Sequence, residues 1–186
     1  MPPEPPNTPY DPASGEPVEG LDAMFSAAYE ELRRLAATIR RDDPGATLTP
    51  TALVNEAWLK LRASTHLAPA SRLHFKRIAG RAMRQVLVEA ARRRNATKRG
   101  GGIAPVTLDE LSREGASTPE QVLALDAALE ELGRVSPRQV AMIECRFFAG
   151  LDVAETAEAL GISEATVLRD WRAARAWLAH ALGAPD

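Results

Sequence analysis

The chain holds a single cysteine, Cys145, three histidines and only 5% aromatic residues. One thiol excludes both a disulfide framework and a cysteine zinc site. No His/Cys/Asp/Glu set stands at ligand spacing, and there is no Ser/His/acid arrangement and no nucleotide-binding glycine loop. The run "RGGGIAP" is a lone glycine stretch of low specificity. An enzyme is therefore not expected, nor a metal site, nor a cofactor. No apolar run approaches ~18 residues, so no membrane span is expected. The N-terminus is rich in proline rather than basic and then apolar, unlike a secretory signal. A cytoplasmic protein is the expectation. Val, Ile and Tyr are thinly spread and no strand pattern is present.

Ala, Leu, Arg and Glu dominate, and 45% of the 186 residues are apolar, enough for a packed helical core. The expected fold class is all-α: two small helical domains joined by a flexible linker, the second with a helix-turn-helix. Residues 1–19 carry seven of the fourteen prolines, so 1–20 reads as a disordered tail. A first helical domain spans 21–99, a Gly- and acid-containing linker 100–117, and a second domain 118–186. Within the first, apolar spacing predicts helices over 21–41, from Pro50 behind a Thr49 cap, and over 72–99 behind Ser71. Within the second, capping boxes at Thr118, Ser136 and Asp152 and a cap at Ser163 open helices near 119–133, 137–149, 153–160 and 164–182.

Charge is unevenly placed. Residues 72–99 hold ten Lys/Arg against one acid, Glu89, a net of +9; residues 1–71 net −4 and residues 100–186 net −7. A basic block flanked by acidic segments points to a polyanion-binding surface on one part only. Its polar positions Arg77, Arg81, Arg84, Gln85, Arg92 and Arg93 recur at helical spacing, away from the stripe Phe75, Ile78, Ala82, Val86 and Ala90. His74 is a further DNA contact candidate. Phe75 and Trp58 are the aromatic groups on which an unstacked base would lie, but both fall on apolar stripes and read more naturally as core.

In "DVAETAEALGISEATVLRDWRAARAWL", Ala157 stands where two helices cross closely and Gly161 where the turn needs positive φ. Val167 stands where the second helix packs on the first. The phage-repressor pattern wants an apolar residue at Asp170; Trp171 beside it is expected to supply the packing. The second helix, laid in a major groove, would turn Thr166 and Arg169 to base edges and keep Arg172 and Arg175 nearer the phosphates. Ser163 at its start joins them as a contact candidate. The bland alternative is a helical hairpin with a solvated arginine face.

These blocks resemble a bacterial RNA polymerase sigma factor of the two-domain, extracytoplasmic-function (ECF) type. They are "LRRLAATIRRDDPGATLTPTALVNEAWLKL", "HFKRIAGRAMRQVLVEAARRRNATKRGG" and the C-terminal stretch quoted above. The resemblance implies a region 2-like domain at 21–99 and a region 4-like domain at 118–186, with core RNA polymerase and promoter DNA as partners. It implies that Asn55, Glu56 and Lys60 dock on the clamp helices of the polymerase's largest catalytic subunit. The basic helix would bind and melt the −10 element, loop 64–71 would hold a flipped base, and helix 164–182 would read the −35 element. Such a protein would be a monomer outside the holoenzyme; whether it has an anti-sigma partner is open, and no residue here encodes one. Members usually carry a basic residue directly after the Thr-Val of the recognition helix; here it is Leu168. Two other readings stand beside this one: a stand-alone helix-turn-helix regulator, which leaves 22–99 unexplained, and a protein-only helical adaptor.

Overall fold

The computed structural model describes residues 20–39, 48–64, 69–97 and 118–183. The proline-rich tail, the linker 100–117 and residues 65–68 of loop 64–71, His66 among them, lie outside the described residues. Among the described residues the chain is helical throughout, with no strand. The helices are α1 (Leu21–Ile39), α2 (Pro50–Ala63), α3 (Arg72–Thr97), α4 (Pro119–Val135), α5 (Pro137–Ile143), α6 (Val153–Leu160) and α7 (Glu164–Ala181). No helix among them is long and apolar enough to cross a membrane. The all-α expectation holds.

Local chemistry sets most boundaries. The Thr49 hydroxyl accepts from the Ala52 amide and Pro50 opens α2. Ser71 Oγ accepts from the His74 amide at the start of α3. Reciprocal capping boxes close at Thr118–Gln121 and at Asp152–Glu155. Ser136 departs from expectation, because its side chain makes no cap hydrogen bond. This residue ends α4 and begins α5 at once. Its amide donates to the Leu132 carbonyl, and its ψ of 78° is far from the extended value near 150–160° at the Thr49, Thr118 and Ser163 caps. Torsion fixed by the α4–α5 corner keeps the hydroxyl from its amide.

The helix expected over 137–149 also changes character. After Ile143 it widens into a π-helical turn, Glu144–Phe148, closed by the Ala149 amide donating to the Glu144 carbonyl at 2.9 Å. Neighbouring Phe147 and Phe148 are both buried there, edge to face with ring centroids 4.7 Å apart.

α3 is the axis of the molecule. One side packs on α1 and α2, whose inward rows are Met24, Ala28, Leu32 and Ala36, and Leu53, Val54, Ala57 and Leu61. Phe75 is fully buried. Trp58 stacks on Phe25 at 4.2 Å and 8°. The other side of α3 is also covered, by α4 and the π turn: Leu87 and Val88 line one crevice with Leu125, Leu129 and Phe148. At Gly80 the backbones nearly touch, since a Cβ there would lie 2.8 Å from Ala149 Cβ and 2.9 Å from its amide nitrogen. Among the described residues one large apolar cluster therefore runs from Met24 to Leu182, with a smaller one at Cys145, Ala149 and Leu151. The sequence stripe on α3 marked only the first of these faces.

Candidate nucleic-acid interface

The basic residues of α3 do not share one environment. Arg84 is largely enclosed, with a side chain 13% exposed. Its Nε and Nη2 donate to Asp126 Oδ1 at 3.1 and 2.9 Å, and its Nη1 donates to Glu144 Oε1 at 2.9 Å. Arg92 reaches the other Asp126 oxygen at 3.4 Å. Arg77, Arg81 and Gln85 line a cleft of about 580 Å³ between α3 and the α4–α5 corner, whose far wall includes Glu130 and Glu144. Arg93 is exposed and stands outside that cleft. His74 holds its own turn, with Nδ1 accepting from the Ala70 amide at 3.1 Å.

Lys76, which no sequence pattern singles out, is 4% exposed and donates to Glu31 at 2.6 Å, with Glu155 of α6 at 3.7 Å. Asp126 and Glu144 escape sequence reasoning likewise. The signal that finds them is the charge map itself: a +9 helix in an acidic chain will recruit carboxylates from its own fold when they are close enough.

On α2, Asn55 and Glu56 point outward, and Lys60 Nζ is bound to Glu89 Oε1 at 2.7 Å. Leu59 lies on the same outward face, 59% exposed. It stands outside the stripe of Leu53, Ala57 and Leu61, so its exposure follows from the same periodicity that buried them.

The C-terminal pair forms as its caps dictate. Gly161 takes φ 64° and ψ 37°, the left-handed region that glycine enters without Cβ strain. The Ile162 amide then donates back to the Ala157 carbonyl at 3.0 Å, satisfying an end carbonyl of α6. Ser163 Oγ accepts from the Thr166 amide and lies 3.0 Å from Thr166 Oγ1. α7 buries Val167, Asp170, Ala174 and Leu178. Leu168, Arg169, Arg172 and Arg175 are left facing out. Arg172 Nε donates to the Leu168 carbonyl at 3.2 Å. Asp170 is buried by taking Arg138 Nε of α5 at 2.8 Å. Trp171 packs at the core's rim with the Arg146 guanidinium 4.7 Å over its ring. An ion pair thus fills the place where an apolar residue was wanted, and Trp171 adds to it.

A family model described as ECF sigma factor matches residues 14–184, nearly the whole chain. The chain belongs to the ECF sigma factor family. No curated protein and no solved structure matches it. Sigma factors of this family bind DNA and work with core RNA polymerase in transcription initiation. Within this sigma factor, the cations of α3 and those of α7 are on separate surfaces: the first are largely paired or within a cleft, the second face outward.

Proposed function

We propose that this ECF sigma factor directs initiation at promoters with two elements, reading −35 duplex with α6–α7 and binding and opening −10 DNA with α3. The observation that carries the reading is the capped α6–α7 pair. Its turn at Gly161 presents Thr166, Leu168, Arg169 and Arg172 in the first turns of a helix whose opposite face is fully packed. A rigid helix with outward arginines near its N-terminus meets the needs of major-groove readout, where a guanidinium fork matches guanine edges or phosphates. α3 supplies the backbone-tracking charge for a melted strand. The outward face of α2, with Asn55, Glu56, Leu59 and Lys60, is the proposed seat on the polymerase clamp helices. Outside the holoenzyme the chain is a monomer in this reading.

The test is run-off transcription from genomic fragments by core polymerase with and without the chain. Start sites that depend on the chain support the proposal. A chain that produces none, yet footprints a palindrome by itself, is instead a stand-alone regulator.

A further inference from the structure

We propose that Leu168 is a base reader of this sigma factor: with Ala165 beside it, it takes the C5-methyl group of one thymine in the −35 duplex and so fixes that base pair as a letter of the promoter. The inference rests on the proposed reading of −35 DNA by α7.

Among the described residues three large apolar side chains are exposed: Leu59, Val135 and Leu168. Only Leu168, 45% exposed, lies on α7. Its place on the helix follows from the winding. The row Val167, Asp170, Ala174 and Leu178 is buried. At about 100° per residue, Ala165 stands about 180° from Ala174, at the middle of the outward face. Leu168 is then about 60° to one side of Ala165, and Arg169 about 40° to the other. All three are exposed, and Arg172 is exposed one turn beyond Leu168.

The chemistry of this face is divided. Ala165 ends in a single methyl, so no long side chain at the centre of the face holds the start of the helix away from a groove floor. Leu168 reaches further and carries neither donor nor acceptor. In the major groove the one apolar feature of a base edge is the thymine methyl; the other positions there offer donors or acceptors. Leucine laid over a guanine or cytosine edge would take those groups from water without replacing their hydrogen bonds. The neighbours of Leu168 point the same way. Arg169 is 69% exposed, and Arg172 Nε donates to the Leu168 carbonyl at 3.2 Å, which draws its guanidinium back towards Leu168. Charge is depleted at the core of a protein interface, so a single leucine beside two arginines suits one poorly. It suits a methyl group set between phosphates.

The test removes the methyl from the DNA. Holoenzyme is assembled from core polymerase and the full chain, and a −35 element is selected from duplexes randomised upstream of a start site that depends on the chain. Each thymine of that element is replaced in turn by uracil, which pairs alike and lacks only the C5-methyl. Competition binding is measured for wild type, Leu168→Ala and Leu168→Arg. The position is exposed and both replacements favour helix, so circular dichroism should match wild type.

At one thymine, uracil should weaken wild-type binding about fourfold, the effect of leaving one methyl group unburied. A C·G pair there should weaken it about tenfold or more. Leu168→Ala should bind thymine and uracil at that position within about 1.5-fold of each other, because its side chain is too short to cover the methyl. Leu168→Arg should bind all the duplexes more tightly and lose the same distinction. A selected element without a fixed thymine overturns the proposal, as does wild-type binding that uracil leaves unchanged at every thymine. So does a uracil effect that persists in Leu168→Ala, or a loss in that variant that is equal on all duplexes, which marks a protein contact. Arg169→Ala keeps the two readings apart. If it weakens −35-dependent initiation while uracil has no effect, only the thymine assignment fails. If Arg169→Ala and Leu168→Ala both initiate as wild type does on every duplex, the reading of −35 DNA by α7 falls with it.

Discussion

Arg138 of α5 and Asp170 of α7 form an ion pair with only one partner buried: Nε to Oδ2 is 2.8 Å, and the side chains are 54% and 7% exposed. The asymmetry makes the two deletions unequal. Arg138→Ala strands a buried carboxylate, with Arg169 at 3.7 Å left nearby, and should lower unfolding free energy by about 1–3 kcal/mol. Asp170→Leu leaves Arg138 to water and should be close to neutral or stabilising. Urea melts of the two variants check the order.

Cys145 is fully buried in the π turn, and loss of solvation pushes its thiol up to about 11 from 9.0. Above pH 9 the unfolded chain gives up this proton while the folded chain keeps it. Stability from this group is thus unaffected below pH 9 and falls as pH rises towards 11. Cys145→Ala should flatten that alkaline decline relative to wild type. A thiol reagent at pH 8 should label wild type only as it unfolds, read as labelling at the global unfolding rate in urea.

Leu59 stands exposed on the outer face of α2 and touches no core, so Leu59→Asp should leave the unfolding free energy unchanged within about ±0.5 kcal/mol. Affinity for core polymerase should fall about tenfold or more, because an apolar group at the centre of a docking face contributes through desolvation. Fluorescence titration with core polymerase decides it. Unaltered affinity would move the docking surface elsewhere.

Arg169→Ala should weaken −35-dependent initiation and leave core binding intact. Leu168→Arg should act oppositely on duplex affinity, adding about one phosphate contact and steepening the salt dependence by about one unit. Competition assays over a salt series read both effects.

The helix boundaries were legible because capping is local chemistry: Thr49, Thr118, Asp152 and Ser163 act within three residues of themselves. Ser136 was misread because one residue had to serve two helices, and the corner, not its own preference, fixed its torsion. The π turn was invisible for a related reason. Its residues have ordinary helix propensity, and only the burial of both Phe147 and Phe148 demands the wider winding. At the candidate site, periodicity placed Arg84 among solvent-facing cations, yet the fold encloses it. Nothing in a linear sequence states that Asp126 and Glu144, distant along the chain, are close in space. Gly80 gave no signal beyond a small residue in a helix, though its missing side chain sets how near α3 and the π turn approach.

The π turn also makes residue count a phase setting. Most insertions and deletions between helices are absorbed by loops. Here the chain from α5 towards α6 stays wound through Phe148, so little slack remains to absorb them. One residue gained in 144–148, which the already widened turn cannot take up, would rotate the downstream helices by about 100°. On the proposed reading α6 and α7 would then present a different side to the promoter, with every candidate contact residue still in place. In this sigma factor the aim of the proposed recognition helix is held by arithmetic as well as by packing.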